Sequence, residues 1–386
     1  MKYYNSHAHI FNMQYVPENF LRVQLNDRLA NIVHWLLQQK VLSDIVLWTA
    51  KKLIRKGTSA KTIAFLMIGI KKTQDMVFED LLKNYPAGDE VKCIILPIDF
   101  TYMGAGNLNI SYEQQLQDLF EVKMKYPNQC FPFVAIDPRK GTATENRDFV
   151  KHYIEKGFSG IKLYPALGYF GFDERLWDVY TYAEQNKIPI MTHASTGGIN
   201  YVGKIAPVDF VYPKAFYKID EKKPYEFPQG EKKIADYCDQ FNDPDNFREV
   251  LINFPELKIC FAHIGLNAKN KIGKEKPDPN YPLFKWYETI KELMETYDNV
   301  YTDISYSVAY PGFFTWFLQL YNDFPPSLQD RILFGTDYFM TVMEEHGNDN
   351  EIFAESLRQL TPELFTKLAL TNVERYLKIE LKTAGS

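Results

Sequence analysis

Eight short apolar runs, each bounded by polar residues, recur along this chain at 2–9, 91–99, 131–137, 160–164, 188–193, 257–263, 300–305 and 332–337. Ile188-Pro189-Ile190-Met191-Thr192-His193 shows the type. Such runs fit strands buried on both faces, because a strand with one wet face alternates apolar and polar residues. Helical patterns lie between them. The pattern over 145–156 ends at Gly157, a residue suited to the position just past a helix. The pattern over 173–186 starts at Asp173, a suitable N-cap, and another covers 286–297. The crossovers are long enough to join parallel strands. The alternation predicts an α/β fold, a (β/α)8 TIM-like barrel.

A barrel of this kind takes about 250 residues, and the chain has 386. The excess falls in two gaps. We expect a single domain over 1–386, with insertions at about 13–88 after the first strand and 197–246 after the fifth. The first holds helix-like stretches at 27–39 and 42–55, whereas the second is rich in Pro, Tyr, Lys and Asp. A smaller polar loop covers 267–282. Loops that follow barrel strands form the rim of the active site. The insertions should therefore cap the pocket, and Tyr201, Tyr212 and Phe216 are candidates to meet a substrate.

A net charge of −5 favours neither nucleic acid nor an anionic membrane surface as partner. No apolar run approaches the ~20 residues that span a bilayer, and with the first strand beginning almost at once no leader is expected. Cys93, Cys130, Cys238 and Cys260 form no CxxC pair and read as reduced, buried thiols. A cytoplasmic protein with a small-molecule substrate is expected, with homo-oligomerisation left open. Most of the 54 Tyr and Phe rings (26 and 28) should serve packing, with a few at the site.

The residues that could carry chemistry stand at strand ends. His7-Ala8-His9 closes the first run, and residues two apart on a strand share a face. Two imidazoles so placed can bind one divalent ion, although His-x-His pairs also arise by chance. His193, His263 and Asp337 close the fifth, sixth and eighth runs. Singly, each has a bland reading: a hydrogen-bonded buried His, or a carboxylate capping a helix. Together, five such residues point to a metal site at the mouth of a parallel barrel. His34, His152 and His346 read as structural. Lys162 lies inside the fourth run, where burial is costly unless the amine is paired. An ion pair with Asp137 or Asp303 is the ordinary reading. The alternatives are an amine carboxylated to bridge two metals, or one that holds a substrate carboxylate. There is no HExxH, GxSxG, complete P-loop or complete dinucleotide fingerprint.

The set resembles the amidohydrolase superfamily, and most closely amidohydrolase family 2. The matching segments are Ser6-His7-Ala8-His9, Gly160-Ile161-Lys162-Leu163-Tyr164-Pro165, Met191-Thr192-His193, Phe261-Ala262-His263-Ile264-Gly265 and Phe334-Gly335-Thr336-Asp337. Asp137-Pro138-Arg139 and Thr302-Asp303-Ile304-Ser305 also look like that branch. The resemblance implies a distorted barrel holding divalent metal through His7, His9, His193 and Asp337. It implies that Asp337 is the catalytic base. His263 would be catalytic in a one-metal site and a second ligand in a two-metal site. Lys162 or Arg139 would meet a second metal or the substrate. These donors suit Zn²⁺ first, with Mn²⁺ and others allowed, and one ion is favoured over two. The implied chemistry is hydrolysis of a small-molecule amide, lactone or related C–N or C–O bond. The alternatives are non-oxidative decarboxylation of an aromatic or unsaturated acid, and a barrel that binds without catalysis.

Overall fold

The structure is a computed structural model that describes residues 1–20, 60–203, 217–218, 223–224, 234–265, 282–344 and 347–378. Each predicted run contains a strand: β1 Lys2–Ala8, β2 Glu90–Ile95, β3 Cys130–Ala135, β4 Gly160–Leu163, β5 Ile190–Thr192, β6 Ile259–Phe261, β7 Val300–Asp303 and β8 Ile332–Leu333. They pair in sequence order, all parallel. The chain after β8 returns to β1. Ser6 N donates to Phe334 O at 2.9 Å, and Asp337 N donates to His7 O at 2.8 Å. This seam nearly closes the barrel.

Side chains divide by the strand period of two. Tyr4, Ile94, Leu96, Phe133, Met191, Cys260, Tyr301 and Leu333 fill the barrel interior, with Val373 and Tyr376 joining them. Their neighbours Tyr3, Cys93, Ile95, Ile190, Ile259, Val300 and Ile332 face the surrounding helices instead. All four cysteines are buried and unpaired, as the sequence suggested. Among the described residues no helix is long and apolar enough to cross a membrane.

Helices occupy the crossovers: α1 Ala60–Gly69, α2 Gln74–Leu82, α3 Tyr112–Lys125, α4 Ala143–Glu155, α5 Trp177–Asn186, α6 Ile234–Asn242, α7 Arg248–Asn253 and α8 Pro282–Thr296. The helix expected from 145 begins two residues earlier. Thr142 caps it through a capping box with Glu145, a signal present in Thr142-Ala143-Thr144-Glu145. Asp173 caps a short 3₁₀ turn, and α5 starts only at Trp177. Gly157 adopts φ +97°, as the helix end requires. Two helices, α1 and α2, lie in the first insertion, whereas the stretches at 27–39 and 42–55 fall outside the described residues.

Gly160 starts β4 because nothing larger fits. A Cβ there would stand 2.5 Å from Phe133 Cζ and 2.7 Å from Pro189 O. Gly160→Ala should therefore cost about 1–3 kcal/mol through overpacking. Urea unfolding of the two proteins measures it, and equal midpoints and slopes would show that the contact relaxes freely.

Candidate metal centre at the barrel mouth

The first strand would present the wrong face if it ran regularly. Tyr4 points inward, so strict alternation turns His7 and His9 outward. A β-bulge intervenes: Asn5 pairs with Cys93, but the next paired residue, Ala8, meets Ile95. Three steps on β1 therefore match two on β2. One extra residue flips the face. Ala8 then packs outward, and His7 and His9 turn to the barrel mouth with ring centroids 5.3 Å apart.

His7, His9 and His193 are each held through Nδ1, and His263 through both ring nitrogens. His7 Nδ1 lies 2.8 Å from Asp303 Oδ2, and His9 Nδ1 lies 2.7 Å from Leu96 O. His263 Nδ1 lies 3.1 Å from Ser305 O, and its Nε2 lies 3.1 Å from His193 Nδ1. If Nδ1 of His263 donates to the carbonyl, its Nε2 must accept from His193, which leaves His193 Nε2 as a lone pair. The His193 ring is stacked on Tyr164 at 4.3 Å. His7 Nε2 and His193 Nε2 are buried without a hydrogen-bond partner among the described residues. Asp337 Oδ1 has no well-aligned donor either, although His9 Nε2 stands 3.1 Å away and His7 Nε2 3.6 Å away.

One ligand atom from each of His7, His9 and Asp337 lies within 4.8 Å of the others. A second set, His7, His263 and Asp303, meets the same distance. Asp303 is committed elsewhere, however. It also accepts from His263 N at 2.9 Å, Ser305 N at 3.0 Å and Ser305 Oγ. That pattern is an orienting carboxylate behind His7. His193 is in neither set; its ring lies beside that of His263, 4.8 Å away.

Burial favours the neutral form of His7, His193 and His263. It lowers His7 against the pull of Asp303 and Asp337, lowers His193 further with help from His263 and Lys162, and takes His263 down to about 4. Burial alone would raise Asp303, but His7 and the His263 amide hold it at about 2. Burial also opposes ionisation of Asp337, yet the surrounding His7, His9 and His263 hold it below the usual range.

The expected ion pair of Lys162 is not formed. Asp137 is taken by Arg139, with Nε at 2.8 Å and Nη2 at 2.6 Å, and the oxygens of Asp303 are occupied. Lys162 Nζ is fully buried and has no hydrogen-bond partner among the described residues. Burial lowers it to about 8 against the pull of Asp303 and Asp337. Arg139 also donates to Leu167 O at 2.8 Å and lies over the rings of Tyr102, Tyr169 and Tyr201. It ties together the loops after β2, β3, β4 and β5.

The segment after β5 starts at the mouth. Gly198 adopts φ +86°, and a Cβ there would lie 3.5 Å from Tyr164 Oη and 4.0 Å from His193 Nε2. Asn242 at the end of α6 anchors the segment, bonding Ala166 N at 2.9 Å and Ser195 O at 3.2 Å. Tyr201 packs beside Arg139, while Tyr212 and Phe216 lie outside the described residues. His152 sits on α4, exposed; His34 and His346 lie outside the described residues.

Sequence reading missed three features. His263, Ile264 and Asp337 have positive φ, at 68°, 51° and 64°; backbone strain of this kind leaves no mark in composition. Tyr306 (φ 58°, ψ −48°) centres a tight turn closed by Ser307 N on Ser305 O at 2.6 Å. Its hydroxyl donates to Glu344 at 2.7 Å, and its ring flanks His263 at 6.0 Å. Asn5 is buried beside the site, where a polar residue inside an apolar run was the available signal.

The amidohydrolase family model matches residues 96–379, which takes in His193, His263 and Asp337 and leaves out His7 and His9. No curated protein matches the chain in sequence. Among solved structures, 5-carboxyvanillate decarboxylase from Novosphingobium aromaticivorans, complexed with manganese and 4-hydroxy-3-methoxy-5-nitrobenzoic acid, is similar at TM-score 0.55 and 12% identity, covering 98% of this chain and 96% of that one. An uncharacterised TIM-barrel protein from Bordetella bronchiseptica gives 0.53 and 16%, covering 98% and 99%. The Sphingomonas paucimobilis 5-carboxyvanillate decarboxylase gives 0.51 and 9%, covering 98% and 99%. At these identities the likeness is one of fold.

Proposed function

The chain belongs to the amidohydrolase family, and on that premise we propose that it is a metal-dependent hydrolase of a small-molecule amide, lactone or related C–N or C–O bond. The observation that carries this reading is the set of buried atoms at the barrel mouth, His7 Nε2, His193 Nε2 and Asp337 Oδ1, that have no hydrogen-bond partner among the described residues. Each such atom costs about 1–3 kcal/mol when nothing binds it. Neutral imidazoles and an ionised carboxylate are the donor set of a divalent transition ion. His7, His9, His193 and Asp337 would hold it. Zinc suits them, as does manganese, which the Novosphingobium decarboxylase binds. We favour one ion, because the atoms of Asp303 and the Nδ1 of His263 are already bonded. The ion would supply Lewis acidity and make water nucleophilic near neutral pH.

The side chains do the rest. Asp337 accepts the proton of the attacking water and passes it to the leaving group. His263, whose Nδ1 stands 4.0 Å from Asp337 Oδ2, would polarise the electrophile or steady the developing oxyanion, and its Nε2 sets the His193 tautomer. Asp303 and Leu96 O orient His7 and His9. Tyr164 and Tyr306 flank the histidines as apolar walls.

A second reading, decarboxylation of an aromatic or unsaturated acid, is favoured by Lys162 alone: a buried amine with no hydrogen-bond partner among the described residues could hold a substrate carboxylate. Zinc- or manganese-loaded protein should be assayed against amides and lactones for acid release, and against aromatic acids for CO₂. CO₂ release without any hydrolysis would replace the first reading by the second.

The ion itself has a simpler test. Chelator-treated protein should unfold at lower temperature, and zinc or manganese should restore it. At a hundred times Kd the gain is about 2.7 kcal/mol. His7→Ala should abolish the shift. Wild-type protein that neither retains nor gains an ion would sink the metal reading.

A further inference from the structure

Asn5 lies one residue before the β1 bulge, on the outward face, and is fully buried. Its amide uses every bonding capacity it has. Oδ1 accepts from His7 N at 3.1 Å and from Thr336 N at 3.0 Å. Nδ2 donates to Thr336 Oγ1 at 2.7 Å and to Tyr85 Oη at 2.9 Å. The reverse amide orientation would set an NH₂ against two backbone N–H groups, so the network fixes which atom is oxygen.

Its place in the barrel gives these bonds their meaning. The seam is where the first strand meets the chain after the last. Backbone bonds cross it from Ser6 N to Phe334 O and from Asp337 N to His7 O. Between those rungs the bulge withdraws His7 N from the β1–β2 ladder. The side-chain oxygen of Asn5 takes the role of a ladder carbonyl, receiving one N–H from each side. One of these belongs to His7, and the other to the residue before Asp337. The seam is also tight. A Cβ on Gly335 would stand 2.8 Å from His7 Cβ and 3.0 Å from His7 N. The two flanks are therefore pressed together by packing and spaced by one amide.

We propose that Asn5 is a positioning residue, whose amide sets the separation of His7 and Asp337 across the closing seam and thereby the affinity of the site for a divalent ion. The proposal rests on the metal reading above. A group bonded behind the ligands contributes through the ligands it aims, and losing one typically weakens metal binding about 10–100-fold. Asn5→Asp keeps the acceptor and loses the donors to Thr336 and Tyr85. Asn5→Ala loses both. Tyr85→Phe loses only the outer bond.

The probe is Mn²⁺, titrated into chelator-treated full-length protein and followed by calorimetry and by the electron paramagnetic resonance of the bound ion. Asn5→Ala should bind Mn²⁺ about 10–100-fold more weakly, with an altered spectrum. Asn5→Asp should fall between it and the wild type, and Tyr85→Phe should stay within about threefold. Leu116→Ala, a packing lesion on α3, should lower thermal stability and leave both affinity and spectrum unchanged; this separates positioning from general destabilisation. If Asn5→Ala does not fold, the near-isosteric Thr336→Val removes one partner of the same amide and should weaken binding at least threefold. Folded Asn5→Ala with wild-type affinity and spectrum overturns the role of Asn5, as does Thr336→Val in the case where it stands in. Wild-type protein that binds neither manganese nor zinc overturns the metal reading itself, and this proposal with it.

Discussion

Asp337→Asn should reduce turnover at least ~10²-fold, the scale of lost general-base catalysis, while the protein keeps its fold and most of its ion. Asparagine preserves the shape and one oxygen, so the site is not emptied. It removes the negative charge and with it the ability to take a proton. The surroundings make that charge matter: Asp337 is buried, and His7, His9 and His263 around it hold the carboxyl ionised. Its φ of +64° is one that Asn adopts readily, so the substitution adds no backbone strain. Initial rates on the substrate that the wild type hydrolyses, together with metal analysis of both proteins, separate the two effects. Near-normal rates in ion-loaded Asp337→Asn would remove Asp337 from proton transfer. Loss of the ion with the rate would make it a ligand before all else.

The barrel was legible because buried parallel strands announce themselves as continuous apolar runs, as Ile188 to His193 and Leu257 to His263 do. Their ends were less legible. The final run reads as six residues, yet only Ile332–Leu333 pair as strand, because the chain leaves the ladder to bring Asp337 to the mouth. The site residues were legible as polar groups placed where apolar runs stop. What set their direction was not. Regular alternation from Tyr4 would have turned His7 and His9 away from the pocket, and no residue type marks the bulge that corrects it. Lys162 shows the opposite limit. Sequence told that a lysine sits in a core strand, but an acid within reach could be assigned only from the bonds that Asp137 and Asp303 already make.

Asp303→Ala should be the most damaging single change behind the site, costing about 3 kcal/mol or more in stability and weakening metal binding about 10–100-fold. The carboxylate accepts from His7 Nδ1, His263 N, Ser305 N and Ser305 Oγ, and it is fully buried. Alanine leaves these donors in a cavity that two backbone N–H groups cannot leave, at roughly 1–3 kcal/mol for each one that stays unpaired. It also frees the His7 ring. Without the acceptor on Nδ1, the tautomer that turns a lone pair on Nε2 toward the ion is no longer favoured. Asp303→Asn should be milder, because its oxygen can keep the backbone donors while its NH₂ opposes His7. Chemical unfolding of chelator-treated variants measures the first effect and Mn²⁺ titration the second. The order Ala, then Asn, then wild type is expected in both. Stability that falls while Mn²⁺ affinity holds would mean that Asp303 braces the strand ends without aiming His7.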